Sequence, residues 1–230
     1  MTIPGTPVRL SPLHALHMEA GAVMTSVAGW QVVQRYGDVE DEARAVMESV
    51  GVCDISGRSA VRVKSFHLDD VLGERSPAVG SIIRDDNSVT ARLTAEEALA
   101  FGPPSANGSW RADIDPVGTP TRYLTDVTSG LTGLKIVGPR VRDVVASLTD
   151  IDLRERAMPD GSCVQAGFAE VHGTLLRLDI ANSPAYELWV AREFGVYMWA
   201  VVLESLGRGG VVRFGNGALQ RLQNQGQGGV

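Results

Sequence analysis

Between residues 39 and 50 the apolar positions Val39, Ala43, Val46, Met47 and Val50 recur at the spacing that gathers side chains onto one stripe of an α-helix. Asp38 is placed to cap that helix, Asp41 and Glu42 put negative charge in its first turn, and Gly51 stops it. Upstream, Leu13, Leu16 and Met24, with the small Ala15 and Ala20, predict a short helix over 13–24 behind a loose, Pro/Gly-punctuated arm at 1–12. Gly21 through Trp30, then Tyr36-Gly37-Asp38, read as a small-residue turn, a tryptophan and a second turn set between these two helices. Three more helices are expected. One opens at Gly138-Pro139 with Val141, Val144, Val145 and Leu148 as its stripe; one covers 193–206 with Phe194, Tyr197, Met198, Val201 and Val202; a short one covers 215–223.

Elsewhere the period changes to two. Ala60-Val61-Arg62-Val63-Lys64 alternates as a strand does, and further strands are expected at 80–83, 89–101, 128–137, 163–171, 174–180 and 186–191. Residues 102–121 show no period and read as a long loop, and the Gln/Gly-rich stretch 224–230 reads as a disordered tail. The order β–α–β–β–α on both sides of the loop predicts an α+β fold with mostly antiparallel sheets and helices packed on one face. The domain is expected over 13–223, as two lobes joined through 102–121.

Charge and composition narrow the function. A net charge of −6 and the lack of any Lys/Arg cluster of six or more residues argue against a nucleic-acid footprint. The basic charge is carried by arginine, since Lys64 and Lys135 are the only lysines. Cys53 and Cys163 are too few for a disulfide framework, so a reducing, cytoplasmic setting is expected. No apolar run approaches the roughly 18–20 residues that span a bilayer, and the start of the sequence lacks the basic and apolar regions of a secretory signal. Neither membrane nor nucleic acid is expected as a partner.

More specific is the series Pro12, Leu13, Leu16, His17, Gly21, Ala22, Met24, Ala28, Gly29, Trp30, Tyr36, Gly37. In this order it resembles the opening of the T-protein of the glycine cleavage system, the tetrahydrofolate-dependent aminomethyltransferase family. Leu134 to Val145 is similar to that family's strand–Gly-Pro–helix segment, Tyr186-Glu187-Leu188-Trp189-Val190 to one of its strands, and Gly215-Asn216-Gly217-Ala218 with Leu222 to the start of its final helix. The resemblance reaches nearly the whole chain but only the family's folate-binding portion, without the C-terminal barrel. It implies an aminomethyltransferase folate-binding-domain-like fold and tetrahydrofolate as cofactor. It also implies one-carbon (aminomethyl or methyl) transfer involving a small N- or O-methylated or aminomethyl compound, and a protein partner in place of the barrel.

The same resemblance assigns residues. Glu187 takes the position whose carboxylate binds the 2-amino-4-oxo edge of the pterin, because that edge offers two parallel N–H donors. Tyr186 beside it and Trp30, as a stacking surface, join the cofactor site. Arg221 is the substitute for an arginine meeting the folate tail, a place held here by Leu219. The family's catalytic aspartate maps onto Asp85 or Asp86, with Asp86 preferred, where an anion stabilises cationic character as the carbon moves. From the residues alone, Glu187 is equally an outward-facing strand residue, Asp85-Asp86-Asn87 is good turn chemistry, and Trp30 is core. His14 and His17 with Glu19 lack a third metal ligand, and Cys53 reads as a packed thiol.

Three functions fit. The first is a folate-dependent one-carbon transferase. The second is a non-catalytic subunit like the gamma chain of heterotetrameric sarcosine oxidase, whose helix resembles Arg192 to Trp199. The third is an enzyme using the same pocket for another small molecule, since the Gly-Tyr-Thr-Gly-Glu turn of the family is replaced by Asp179 to Pro184.

Overall fold

The computed structural model describes residues 8–85, 88–105, 121–180, 182–207 and 209–227. The chain opens with β1 (Arg9–Leu10), α1 (His14–Glu19), β2 (Val23–Val27) and β3 (Trp30–Arg35). The segment around Trp30 is therefore a hairpin rather than turns between helices. Val27 pairs with Trp30 across Ala28 and Gly29, which hold φ at +48° and +82°. Two central residues with positive φ give the tight turn whose twist matches paired strands.

Then follow α2 (Val39–Glu48), β4 (Gly51–Asp54), β5 (Ser59–Lys64), α3 (Leu68–Leu72), β6 (Ile82–Arg84), β7 (Val89–Arg92) and β8 (Glu97–Gly102). Asp38 caps α2 as expected, accepting from the amides of Glu40 (2.9 Å) and Asp41 (3.2 Å). Gly51 does more than end that helix, because β4 starts on it. The single strand expected over 89–101 is a β7–β8 hairpin, closed where the Leu93 amide donates to the Glu97 carbonyl at 2.9 Å.

The second half holds β9 (Tyr123–Asp126), β10 (Leu131–Val137), α4 (Val141–Ala146), β11 (Cys163–Phe168), β12 (Val171–Arg177), β13 (Ala185–Ala191), α5 (Gly195–Glu204), β14 (Val212–Arg213) and α6 (Asn216–Gln227). Helix α6 runs on through Gln227, into the stretch read as a tail. Most of the 102–121 loop, the first residues of the arm and the end of the tail lie outside the described residues.

Two main sheets result. A six-stranded sheet runs β11-β12-β13-β10-β4-β14, antiparallel except for the β4–β14 pair. A five-stranded antiparallel sheet runs β6-β7-β8-β5-β9, so β8 and β9 flank the same strand and the 102–121 loop joins two members of one sheet. β1 and the β2–β3 hairpin form a third, small sheet.

Strands β10 and β13 are buried along nearly their whole length and need cover on both faces. On one face Leu134, Ile136, Leu188 and Val190 pack with α4 and α5 through Val144, Val145, Met198 and Val202. On the other, Val137, Ala185 and Trp189 pack with α2, α6 and β8 through Val46, Leu222 and Phe101. Helices thus reach both faces, with the five-stranded sheet completing the second. Each such side chain taken from water contributes about 1.5–3 kcal/mol. Two residues interrupt the apolar second face, and both are charged: Lys135 and Glu187.

Candidate functional site

Lys135 and Glu187 are register partners on β10 and β13, so the pleat puts both side chains on the same side of the sheet. Each is 4% exposed. Burying charges is tolerated only when they are paired and hydrogen-bonded. Glu187 meets that condition. The Arg58 Nη1 donates to Oε1 at 2.8 Å and to Oε2 at 3.0 Å, and the Trp189 indole donates to Oε2 at 3.2 Å. The Lys135 ammonium lies 3.6 Å from Oε1 and donates to the Leu178 carbonyl at 2.8 Å. Burial pushes the Glu187 carboxyl upward, but the charges of Arg58 and Lys135 and the Trp189 hydrogen bond overcome it, so the group is held below its ordinary range and stays ionised. Burial holds Lys135 down to about 8, with Glu187 acting against burial and Arg58 and Arg84 acting with it.

Arg58 comes from the turn between β4 and β5, half-buried, with its guanidinium 5.9 Å from the Phe101 ring centre. Phe101 in turn stacks on Trp189 with centroids 4.5 Å apart. Arg58, Lys135 and Glu187 line a cavity of about 1060 Å³. Its other walls come from the β2–β3 hairpin (Val27, Val32), the β6–β7 turn (Asp85, Ser88) and α6 (Leu219, Gln223). Asp85 therefore shares a cavity with Glu187, although 102 positions separate them in sequence (187 minus 85). It sits at the exposed mouth, where its carboxylate accepts from the Ser88 hydroxyl at 3.3 Å.

Behind one wall lies a second polar cluster. His17 Nε2 is 2.9 Å from the Asp54 carboxylate and its Nδ1 is 2.7 Å from the Tyr36 hydroxyl. Ser11 donates to Asp54, and Ser56 donates to it through both its amide (2.9 Å) and its hydroxyl (2.5 Å). Burial raises the Asp54 carboxyl, but the hydrogen bonds from His17, Ser11 and Ser56 and the attraction of His17 win, and it lies below its ordinary range. His17, one of the paired histidines in the sequence, thus serves a carboxylate and a phenol.

Three of the remaining assigned residues fall elsewhere. Tyr186 alternates to the opposite face of β13, wholly buried in the α4/α5 core, and its hydroxyl has no hydrogen-bond partner among the described residues. Trp30 is core as well: its ring backs the turn at Gly57, one residue from Arg58, and does not line the cavity. Arg221 is on α6 but outside the cavity, paired with Glu40 of α2 at 3.1 Å. Asp86 lies outside the described residues. Arg58, Lys135 and Asp54 were not singled out from the sequence. For Lys135 the signal was the rarity of lysine combined with an ionisable residue inside the apolar run Leu134 to Val137.

Comparison with known proteins agrees with this architecture. The GCVT N-terminal domain matches residues 82–225. The aminomethyltransferase of Streptomyces coelicolor is 27% identical over 215 residues, 84% of this chain and 56% of that protein. Sarcosine oxidase subunit alpha of Corynebacterium sp. is 25% identical over 226 residues, 84% of this chain and 23% of that subunit. Among solved structures, the glycine cleavage system aminomethyltransferase T from Bartonella henselae superimposes with a TM-score of 0.76 at 16% identity, over 94% of this chain and 62% of that one. A chain of heterotetrameric sarcosine oxidase from Corynebacterium sp. U-96 gives 0.62 at 13% identity, over 86% of this chain and 94% of that one. The chain spans about half the length of the curated aminomethyltransferase it matches over 56%.

Proposed function

Because the chain belongs to the GCVT N-terminal domain family, we propose that it is a folate-dependent one-carbon transferase-like protein acting on a small N- or O-methylated or aminomethyl compound. The observation that supports this most is an ionised, buried carboxylate, Glu187, in the wall of a cavity of about 1060 Å³. That volume suits a drug-sized organic ligand. The apolar walls at Val27, Val32 and Leu219 suit a flat ring, and a carboxylate suits two parallel N–H donors. A pterin edge would take the place of the Arg58 Nη1 on the two oxygens. Tetrahydrofolate, when bound, supplies the one-carbon carrier. Asp85 at the mouth, or its neighbour Asp86, would hold negative charge beside the reacting nitrogen and favour cationic character there. The two free, buried thiols, Cys53 and Cys163, suit a reducing compartment such as the cytoplasm.

Calorimetric titration with tetrahydrofolate and 5-formyltetrahydrofolate tests the reading. Micromolar binding is expected, weakened at least about tenfold in Glu187→Ala, the scale of a lost charge-assisted pair of hydrogen bonds. No binding by the folded protein overturns it.

A second reading is favoured by a separate observation. The matched chain of heterotetrameric sarcosine oxidase is covered over 94% of its length, and Phe194, Val196 and Tyr197 stand exposed together around the start of α5. On that reading the chain is a non-catalytic, gamma-type subunit, and the α5 face is where a larger partner docks. It predicts a protein that self-associates when purified alone and binds no folate, which sedimentation and the same titration decide.

A further inference from the structure

We propose that the cavity wall around Arg58 is a carboxylate-binding subsite, and that the small molecule handled here carries a carboxylate group. The inference rests on the transferase reading for the choice of this cavity, and it names the substrate class that reading leaves open.

Charge is the first argument. Two cations, Arg58 and Lys135, converge on one carboxylate, Glu187. Of the other carboxylates in the cavity lining, Asp160 pairs with Arg84, Asp179 pairs with Arg177, Asp54 is held by His17, Ser11 and Ser56, and Asp85 stands at the mouth beside Ser88. Within the Arg58–Lys135–Glu187 group itself two cations share one carboxylate, a local excess of positive charge. A pterin edge is neutral and would not offset it. A ligand carboxylate would.

Geometry is the second argument. Arg58 reaches Glu187 with Nη1 alone, and its Nε and Nη2 donate to no acceptor among the described residues. Its side chain is 21% exposed and lines the cavity. A guanidinium is rigid and planar, and its N–H groups form a fork that fits a carboxylate with two parallel hydrogen bonds. A cation meant only to neutralise Glu187 would need no such spare edge, and Lys135 is already within 3.6 Å. Arg58 thus meets Glu187 with one nitrogen and leaves its other edge to the cavity, with its guanidinium 5.9 Å from the Phe101 ring centre.

A proton accompanies the anion. Lys135 is held down to about 8 by burial and by Arg58 and Arg84, against Glu187. The groups that surround it are Glu187 on β13, Cys53 beside it on β4, Arg58 from the β4–β5 turn, Arg84 on β6 and Asp179 after β12. An arriving anion favours the protonated amine, so binding near pH 8 draws a proton from the buffer.

The experiment is calorimetric titration of the full chain at pH 8 with acetate and glycine, and with acetamide and glycinamide, in two buffers of different ionisation enthalpy. The carboxylates are expected to bind at least about tenfold tighter than their amides, with fractional proton uptake. Arg58→Met should erase the preference. Arg58→Lys, which keeps the charge on Glu187 but loses the fork, should reduce it and serves if the methionine variant does not fold. Lys135→Met should abolish the proton uptake. Equal binding of acids and amides, no binding of the acids, or a preference that survives both Arg58 variants overturns the proposal. Tetrahydrofolate, titrated separately, keeps the two ideas apart. Folate binding without carboxylate preference sinks only the subsite, and the reverse sinks only the folate reading.

Discussion

Asp54 closes β4 with its carboxylate saturated by His17, Ser11 and Ser56. Because its folded-state pKa lies below the unfolded value near 3.8, it contributes stability that is present above that value and lost as pH falls through the lower folded one. Asp54→Asn should cost about 3 kcal/mol at neutral pH, the scale of breaking a buried pair. It should also flatten the acid limb of a urea-denaturation profile below about pH 4. Lys135 works in the opposite sense. Its pKa falls from 10.5 to about 8 on folding, so the unfolded chain binds more protons between those values and stability gains with rising pH. Cys53 and Cys163, both raised by burial, begin to act against it near their ordinary value of 9. The clean window is therefore about pH 8–9, where wild type should gain up to about 1.4 kcal/mol over Lys135→Met. At this scale the sequence was only partly readable. Glu187 carried a family motif, but Arg58 matters because the fold brings it to a residue 129 positions away, and no local period reports such a meeting.

Elements were more legible where periodicity was sustained. α2 declared its stripe and its cap, and α4, α5 and the long strands β10 and β13 fell where expected. What stayed hidden were short pieces such as β4, α3, β9 and β14, too brief to show a period, and the β2–β3 hairpin, whose small residues looked like turn alone. One glycine joins element to site. A Cβ on Gly133 of β10 would lie 2.4 Å from the Trp189 ring, the indole that donates to Glu187. Gly133→Ala should therefore destabilise by about 2 kcal/mol as an overpacked core position, measured by thermal unfolding. It should also weaken ligand binding, since the indole cannot yield without dragging its hydrogen bond. Glu42 makes a comparable tie, accepting from the amides of Tyr36 (2.5 Å), Gly37 (2.7 Å) and Gly215 (2.9 Å), so that α2 clamps the β3 exit to the start of α6.

The whole molecule explains why a cavity and not a filled core lies between its sheets. The six-stranded sheet supplies the ionic wall, the edge of the five-stranded sheet supplies the mouth, and α6 closes one side. These parts come from both ends and the middle of the chain, which is why a general α+β architecture could be read from the sequence while the site's membership could not. The same arrangement has a practical consequence. Of the two lysines, Lys64 stands at the surface beside Glu97 at 3.2 Å, and Lys135 looks into the cavity. Lysine carrying a magnetic isotope in its side chain would thus yield one reference resonance and one resonance from the binding wall, giving the protein its own spectroscopic indicator of occupancy without any added label.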